Sequence, residues 1–221
     1  MVIAPSGQKK AMTTIFFIVF LDILGFSLIL PLLPFIAESF GGNPTTIGFL
    51  VASYSFFQFI AAPILGTLSD RFGRRKLLIF SQIGSALGFI ILGLAHTLPL
   101  LFLSRIIDGI TGGNISIAHA YIADITTPKN RAKGMGMLSA AFGAGFIIGP
   151  AVGGFLSQIS FSLPAYVAAA MALITALATQ LFLKETVAST QNTVKHFSGL
   201  KASVPLTLAH NKSPGYLPLW A

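Results

Sequence analysis

The sequence predicts an all-α transmembrane protein with six membrane-spanning helices. Hydrophobic residues make up 54% of the 221 residues and charged residues only 9%, whereas soluble domains carry about 25% charged residues. Six continuous apolar segments approach the roughly 20 residues that a helix needs to cross a bilayer. Lysine and arginine concentrate between alternate segments, as they do in cytoplasmic loops. These three observations together exclude a soluble globular domain.

The six predicted spans are separated by short polar stretches with turn-forming residues, such as Gly41-Gly42-Asn43-Pro44. Strands of a membrane β-barrel are about 10 residues long and alternate in polarity. The segments here are twice as long and continuously apolar, which favours helices. We predict spans over residues 13–36, 47–68, 77–95, 98–124, 134–158 and 164–183, within a bundle that covers residues 13–185.

The distribution of basic residues predicts that both termini are cytoplasmic. Arg105 alone of the 14 Lys and Arg residues lies inside a predicted span. The others precede span 1, follow span 6, or lie between spans 2 and 3 or 4 and 5, on one side of the membrane. Residues 1–12 and the polar tail 186–221 are then cytoplasmic, and the apolar end of the tail resembles the start of an interrupted seventh span. This topology predicts a multi-pass protein of the cell (plasma or inner) membrane.

Several function classes find no support in the sequence. The net charge of +8 is accounted for by orientation signals facing anionic lipid, so no nucleic-acid partner is predicted. The absence of cysteine removes disulfides and thiolate sites, and the four histidines are not at metal-ligand spacing. The chain also lacks H-E-x-x-H, P-loop and G-x-S-x-G motifs. We predict neither an enzyme nor a cofactor.

Ionisable residues inside a membrane span are costly and are functional candidates by default. At 100° per residue, span 4 places six small or polar residues on one face, which predicts the wall of a central cavity. This face comprises Arg105, Asp108, Gly109, Gly112, Ser116 and His119. Alternatively, Arg105 and Asp108 form a structural pair at i, i+3, and His119 is hydrogen-bonded to a neighbouring helix.

Asp22 lies about 13 Å into span 1, where removal from water favours the protonated carboxyl. That property suits a proton carrier; the alternative is a buried acid that only bonds a neighbouring helix. A direct pair between Asp22 and Arg105 is not assured by their depths. Tyr54 and Gln58, one turn apart on span 2, are further candidates for the cavity.

Two other patterns are structural on the residues alone. Ala141, Gly145, Gly149 and Gly153 recur every fourth residue of span 5, a spacing that lets helices approach closely, and Pro150 should bend that helix. In the loop at residues 66–76, Ser69 and Asp70 can cap a helix start, and the arginines can act purely as an orientation signal.

These same segments resemble the major facilitator superfamily. GTLSDRFGRRKLL at 66–78 matches its loop 2–3 signature, with the defined residues Gly66, Asp70, Arg71, Gly73, Arg74 and Arg75. The antiporter motif of its drug exporters is matched by Gly136, Gly145, Gly149, Pro150, Gly153 and Gly154. LDILGFSLILPLLP at 21–34, SRIIDGITGG at 104–113, YIADIT at 121–126 and LKET at 183–186 are similar to its tetracycline-resistance exporters.

The resemblance implies a six-helix N-terminal half made of two inverted three-helix repeats, normally followed by a second half. It implies a protein of the lipid bilayer that exchanges protons for small amphipathic compounds or drugs, which it exports. Asp70 and Arg71 would latch against the second half, and the span 5 glycines would pack against one of its helices. Arg105 would assist proton coupling, and Asp22 would handle substrate or protons.

Two departures leave alternatives open. Gly88 stands where tetracycline exporters carry an acid, which puts tetracycline itself in doubt. The chain also ends where a seventh span should begin, so we expect a truncated product. The alternatives are a truncated half that transports nothing, a six-helix subunit that pairs with another chain, a homodimer joined through the glycine stripe, and a transporter of another metabolite.

Overall fold

The computed structural model describes residues 5–186, which form helices joined by short connections. Within this range there is no strand, and six helical segments are long and apolar enough to cross a membrane. They are Lys10–Ser39, Pro44–Phe72, Arg74–Gly93, Leu98–Ile125, Pro128–Ser157 and Leu163–Phe182. The predicted all-α fold with six spans is confirmed. The predicted start of a seventh span lies outside the described residues.

Two of the six spans are interrupted, so the described chain contains eight helices. Their bounds are α1 Pro5–Ile29, α2 Leu33–Ser39, α3 Pro44–Phe72, α4 Arg74–Gly93, α5 Leu98–Thr111, α6 Asn114–Ile125, α7 Pro128–Ser157 and α8 Leu163–Phe182. Proline stands at the first or second position of six of them, where its missing N–H costs no hydrogen bond. Asn43 caps α3 by accepting the Thr46 N–H at 2.8 Å.

The first span breaks between Ile29 and Leu33, around Pro31. Proline cannot donate a helix hydrogen bond and disfavours helical backbone in the residue before it. The chain makes a turn there, with the Leu32 N–H donating to the Ile29 carbonyl at 2.9 Å. The short α2 then completes the span.

The fourth span breaks at Gly112 and Gly113, which separate α5 from α6. Paired glycines weaken a helix, but a break inside a membrane requires other partners for the freed backbone groups. Side chains of neighbouring spans supply them. The Ser81 hydroxyl donates to the Thr111 carbonyl and accepts the Gly113 N–H at 3.2 Å, and the Gln58 amide donates to the Gly112 carbonyl at 3.1 Å.

The bundle has two apolar cores, one toward each end. α1 packs against α7 and α8, while α4 packs against α5 and α8. One core surrounds Ile15, Tyr121 and Ile122, and the other surrounds Leu28 and Ala168. Asp22 lies on α1 between these cores, so polar residues occupy the middle of the bundle.

Candidate functional site

A cavity opens in the middle of the bundle, between the two cores. Its polar lining consists of Asp22, Tyr54, Gln58, Ser85, Asp108 and Asn114. Its aromatic lining consists of Phe26, Phe89, Phe142 and Phe146. The structure therefore brings together five residues predicted from three separate spans: Asp22, Tyr54, Gln58, Asp108 and Gly112. The cavity offers carboxylates, an amide and ring faces to a bound molecule.

Asp22 is held by uncharged donors from two other spans. The Thr175 hydroxyl of α8 donates to Asp22 Oδ1 at 2.8 Å, and the Gln82 amide of α4 donates to Asp22 Oδ2 at 3.4 Å. Thr179 in turn donates to Gln82 Oε1 at 3.0 Å. Thr175, Gln82 and Thr179 each have 0% exposure. None of these three residues was predicted from the sequence. Gln82 could have been found there, because it is a polar residue within an apolar span, as Tyr54 and Gln58 are.

Asp108 and Arg105 form the pair that their spacing allowed. Arg105 Nη1 lies 3.4 Å from Asp108 Oδ2, with side-chain exposures of 1% and 3%. The guanidinium carbon lies 5.7 Å from the centre of the Phe89 ring, and Ser85 hydrogen-bonds Asp108. Asp108 lines the cavity and Arg105 does not. The predicted cavity wall is thus formed by the acid, with the arginine neutralising it from behind.

Tyr54 and Gln58 form the α3 side of the cavity. Gln58 Nε2 donates to the Tyr54 hydroxyl at 2.8 Å and to the Gly112 carbonyl at 3.1 Å. An amide nitrogen carries two hydrogens, so both bonds form together. The Tyr54 ring lies 5.0 Å from the Phe26 ring, and Phe26 lies 6.1 Å from Phe146. Gln58 therefore joins the aromatic wall to the break in span 4.

The polar face predicted along span 4 is divided by the break between α5 and α6. The phase count assumed a continuous helix, and the break at Gly112 and Gly113 ends that continuity. Ser116 lines a different hollow, beside Phe59 of α3. His119 is exposed, with Nδ1 3.2 Å from the sulfur of Met135 on α7. Neither residue lines the cavity that contains Asp22 and Asp108.

A second polar cluster lies where α3 meets α4, at what we call the basic end of the bundle (residues 66–76, with Asp124 and residues 183–186 packed beside them). Arg74, the first residue of α4, forms ion pairs with Asp70 and, at 3.1 Å, with Asp124 of α6. It also donates to Ser69 Oγ at 2.6 Å. The prediction that Ser69 and Asp70 cap the next helix was wrong, because both lie in the last turns of α3 and only Gly73 separates the helices.

Asp124 lies in the segment 121–126, and the sequence predicted no role for it. In the structure it connects three parts of the basic end. Its Oδ2 accepts from Arg74 Nε at 3.1 Å and from the Thr186 hydroxyl at 3.0 Å. The chain has only 6 acidic residues, and an acid at the end of a span opposite a basic loop is the signal that could have found it. The cluster fastens the chain after α8 to α4 and α6.

The segment after α8 folds over the connection between α3 and α4. Gly73 has φ of +105°, a conformation that favours glycine, and the Glu185 carboxylate occupies the space that a Cβ at Gly73 would need. Arg75 donates to the Gln180 carbonyl, and Tyr121 donates to the Lys184 carbonyl at 3.2 Å. Arg71 is exposed, and a Cβ on Gly66 would meet open space. Those two residues are free of this packing.

The glycines of span 5 pack within this bundle, which corrects the expectation that they need a helix of another half. Gly145, Gly149 and Gly153 are buried against α1. A Cβ added to Gly145 would lie 2.8 Å from Ile23 Cγ2, and the Ser27 hydroxyl donates to the Gly145 carbonyl at 2.8 Å. The stripe therefore serves the close approach of α7 to α1.

The other residues of the span 5 motif face away from α1. A Cβ on Gly136 or Gly154 would meet open space. Pro150 is exposed, and α7 continues through it from Pro128 to Ser157. These positions lie on a surface that the described residues leave uncovered.

Known proteins with similar sequences indicate one family. Residues 15–220 match the family model described as "Major Facilitator Superfamily". The chain is 40% identical over 182 residues to "Tetracycline resistance protein, class H" of Pasteurella multocida, covering 81% of this chain and 46% of that protein. It is 39% identical over 179 residues to "Multidrug resistance protein 2" of Bacillus subtilis (strain 168), covering 80% and 45%.

Comparison with solved structures agrees on the fold. The human organic anion transporter MFSD10 (TETRAN) superposes with a TM-score of 0.76 at 29% identity, over 85% of this chain and 50% of that one. A bacterial homologue of the human lysosomal transporter Spinster superposes with a TM-score of 0.73 at 20% identity, over 83% and 44%. The chain spans about half the length of the curated relatives it matches.

Proposed function

The chain belongs to the major facilitator superfamily, and from this premise we propose that it forms half of a proton-coupled exporter of small amphipathic compounds. It is a transporter of the lipid bilayer rather than an enzyme, and its relatives include tetracycline and multidrug resistance proteins. Export as the direction of transport, the proton as the coupling ion and the need for a second six-helix half are all part of what we propose. One observation supports it above the others: the cavity combines two carboxylates with four phenylalanine rings and a tyrosine.

The charge of the cavity favours some substrates over others. Asp22 and Asp108 are the charged residues among the described residues that line it. A low-dielectric site strengthens repulsion between like charges, so a negatively charged compound is disfavoured. Neutral and positively charged amphipathic compounds meet complementary carboxylates and can stack on the aromatic rings. Although TETRAN is described as an organic anion transporter, this chain's cavity favours the opposite charge.

The surroundings of the two acids favour Asp22 as the proton carrier. Asp22 is bonded to neutral donors, so a proton neutralises it without leaving an unpaired cation. Protonation of Asp108 would leave the fully buried guanidinium of Arg105 uncompensated, which is strongly unfavourable. We assign Arg105 the task of keeping Asp108 neutralised while Asp22 exchanges its proton with the cavity.

The outer surface is consistent with a second half that packs on this one. α3 and α7 are the least buried of the six spans, because only 11% and 22% of an apolar 18-residue stretch in each is buried. They expose large apolar side chains such as Phe59 at 80% and Ile147 at 79%. Asp70 and Arg71 are exposed beside them, where a latch to a second half would form. Self-pairing through the glycine stripe is disfavoured, because α1 already covers Gly149.

The test restores a second half and measures efflux. The chain is co-expressed with the C-terminal six-helix half of the Bacillus subtilis multidrug resistance protein 2 in cells that lack their own efflux pumps. Accumulation of ethidium and of tetracycline is followed with and without a protonophore, against cells that express either half alone. We expect ethidium accumulation to fall only when both halves are present, and to recover with the protonophore.

Variants of the charged residues test the mechanism. Asp22→Asn should lower efflux by a factor of about 10² because the proton carrier is lost, and Arg105→Ala should also lower it because Asp108 becomes unpaired. Glu38→Gln is the matched control, since Glu38 is an exposed acid on α2. Efflux equal to that of the unmodified chain in both variants would remove the proposed mechanism.

A further inference from the structure

The bonds around Asp22 define more than its location. Asp22 lines the cavity, and its carboxylate contacts a group of three side chains with 0% exposure on α4 and α8. The contacts run from Thr175 to Asp22 at 2.8 Å, from Gln82 to Asp22 at 3.4 Å, and from Thr179 to Gln82 at 3.0 Å. The two carboxylate oxygens therefore have different partners. This difference assigns separate tasks to the two oxygens.

Thr175 has one hydroxyl hydrogen and two acceptors within reach. Its Oγ1 lies 2.8 Å from Asp22 Oδ1 and 2.9 Å from the Ala172 carbonyl of its own helix. A hydroxyl donates only one hydrogen bond at a time but also accepts. With an ionised Asp22, the hydroxyl donates to Oδ1. With a protonated Asp22, Oδ1–H donates to Thr175 Oγ1 and the hydroxyl turns to the Ala172 carbonyl. Every group keeps a partner in both states.

Gln82 has a fixed orientation because of Thr179. The Thr179 hydroxyl donates to Gln82 Oε1, which leaves the amide nitrogen directed at Asp22 Oδ2. A flipped amide would break the bond from Thr179 to Gln82 Oε1 and place the amide oxygen against the ionised carboxylate, which repels it. Oδ2 therefore faces the Gln82 N–H group, which only donates and cannot accept a hydrogen bond from a protonated carboxyl. Oδ1, which faces Thr175, is the oxygen that can carry the proton.

We propose that Thr175 and Gln82, the latter aligned by Thr179, are positioning residues that make Asp22 a reversible proton site with Oδ1 as the protonated oxygen. This inference rests on the proposed function, in which Asp22 exchanges a proton. The proton comes from a hydronium ion in the cavity: an Oδ1–H bond forms, water is released, and the carboxylate charge is lost. The Thr175 hydrogen bond reverses direction in the same step.

Few other charged groups face this site. Asp108 from α5 and the Tyr54 hydroxyl from α3 line the same cavity, and Arg105 lies behind Asp108. The residues that α4, α7 and α8 contribute to the described lining are uncharged. The reversal therefore depends chiefly on the neutral partners of Asp22.

Infrared difference spectroscopy of the 221-residue chain in lipid nanodiscs tests this arrangement. The carbonyl stretch of protonated Asp22 is followed through a pH titration and assigned by its loss in Asp22→Asn. We expect Gln82→Leu and Thr179→Val to move the band to higher frequency, because Oδ2 loses its aligned donor. Thr175→Val should shift the pH midpoint of the band, and Thr175→Ser should restore it because the hydroxyl returns.

Thr126→Val is the matched control, since Thr126 is a buried threonine that bonds only its own helix, at 2.7 Å from the Ile122 carbonyl. Melting curves confirm that each variant is folded. A band whose frequency and midpoint are the same in every folded variant overturns the positioning roles while leaving Asp22 as the carrier. If no protonated Asp22 band appears in the unmodified chain, both this inference and the proposed proton carrier are overturned.

Discussion

At the scale of single residues, one hydroxyl group bonds the backbone where span 4 is broken. The Ser81 side chain, with 0% exposure, bonds both the Thr111 carbonyl and the Gly113 N–H across the break in span 4. Unpaired backbone groups are especially costly where no bulk water reaches them. Ser81 therefore adds hydrogen bonds from α4 to two backbone groups at the break, which also bond each other at 2.7 Å.

Removal of this hydroxyl should destabilise the protein. In Ser81→Ala, the Thr111 carbonyl and the Gly113 N–H lose their bonds to α4 and keep only the bond between them at 2.7 Å, and we expect a loss of about 1–2 kcal/mol. Ser104→Ala is the control, because the equally buried Ser104 bonds only the Leu101 carbonyl of its own helix. Thermal melting in detergent compares the two variants. Equal melting temperatures for both would show that Ser81 does not stabilise the break.

Residues with an unusual chemical type for a membrane span could be predicted, and residues of ordinary type could not. Asp22 and Asp108 were identified because acids are rare in spans. Thr175 and Thr179 were missed because threonine is common in such helices and bonds its own backbone there. Their contact with Asp22 and Gln82 depends on how spans 1, 3 and 6 meet, which helical periodicity does not define.

At the scale of helices, the glycine stripe of α7 (Gly145, Gly149 and Gly153) allows close packing of α7 against α1. α1 and α7 approach so closely that a Cβ on Gly149 would overlap Ser27, and one on Gly153 would overlap the Leu28 carbonyl. Backbone contact of this kind replaces interdigitated large side chains. The resulting interface includes the Ser27 to Gly145 hydrogen bond.

A side chain in this stripe should force the two helices apart. Gly149→Val should destabilise the protein by about 1–3 kcal/mol through overpacking, with the loss of the Ser27 bond added to it. Gly154→Val lies on the same helix but meets open space, and we expect a change of about 0.5 kcal/mol or less. The melting temperatures of the two variants give the comparison, and a similar drop in both would refute packing as the cause.

The sequence could predict which helices exist but not where they break. Length and hydropathy gave six spans, because a bilayer imposes both. The breaks at Pro31 and at Gly112 depend on partners from other spans, such as Ser81 and Gln58. Without those partners in view, the fourth span was counted as one helix, and its polar face was extended past the break at Gly112 and Gly113.

For the whole molecule, orientation is the property that the basic residues predict. Arg74, Arg75 and Lys184 lie at the basic end, and the connections at the other end contain no lysine or arginine among residues 94–97 and 158–162. The positive-inside rule then predicts that the basic end is cytoplasmic. The exposed acids and arginines of that end would face the cytoplasmic side of a second half.

Cysteine labelling checks this orientation directly, because the chain has no cysteine of its own. We expect Ser160→Cys to react with a membrane-impermeant maleimide in intact cells, and Lys129→Cys to react only after permeabilisation. Labelling of both positions in permeabilised cells serves as the control for accessibility. The reverse pattern in intact cells would contradict the predicted topology.

The interruption of span 4 also changes the electric field in the middle of the bundle. A helix carries partial negative charge at its C-terminal end and partial positive charge at its N-terminal end. α5 ends at Thr111 and α6 begins at Asn114, so opposite poles meet at the level of the cavity, beside the Asn114 side chain that lines it. A polar group at this level of the cavity therefore meets two opposite helix-dipole ends, where an unbroken helix would present a nearly field-neutral wall.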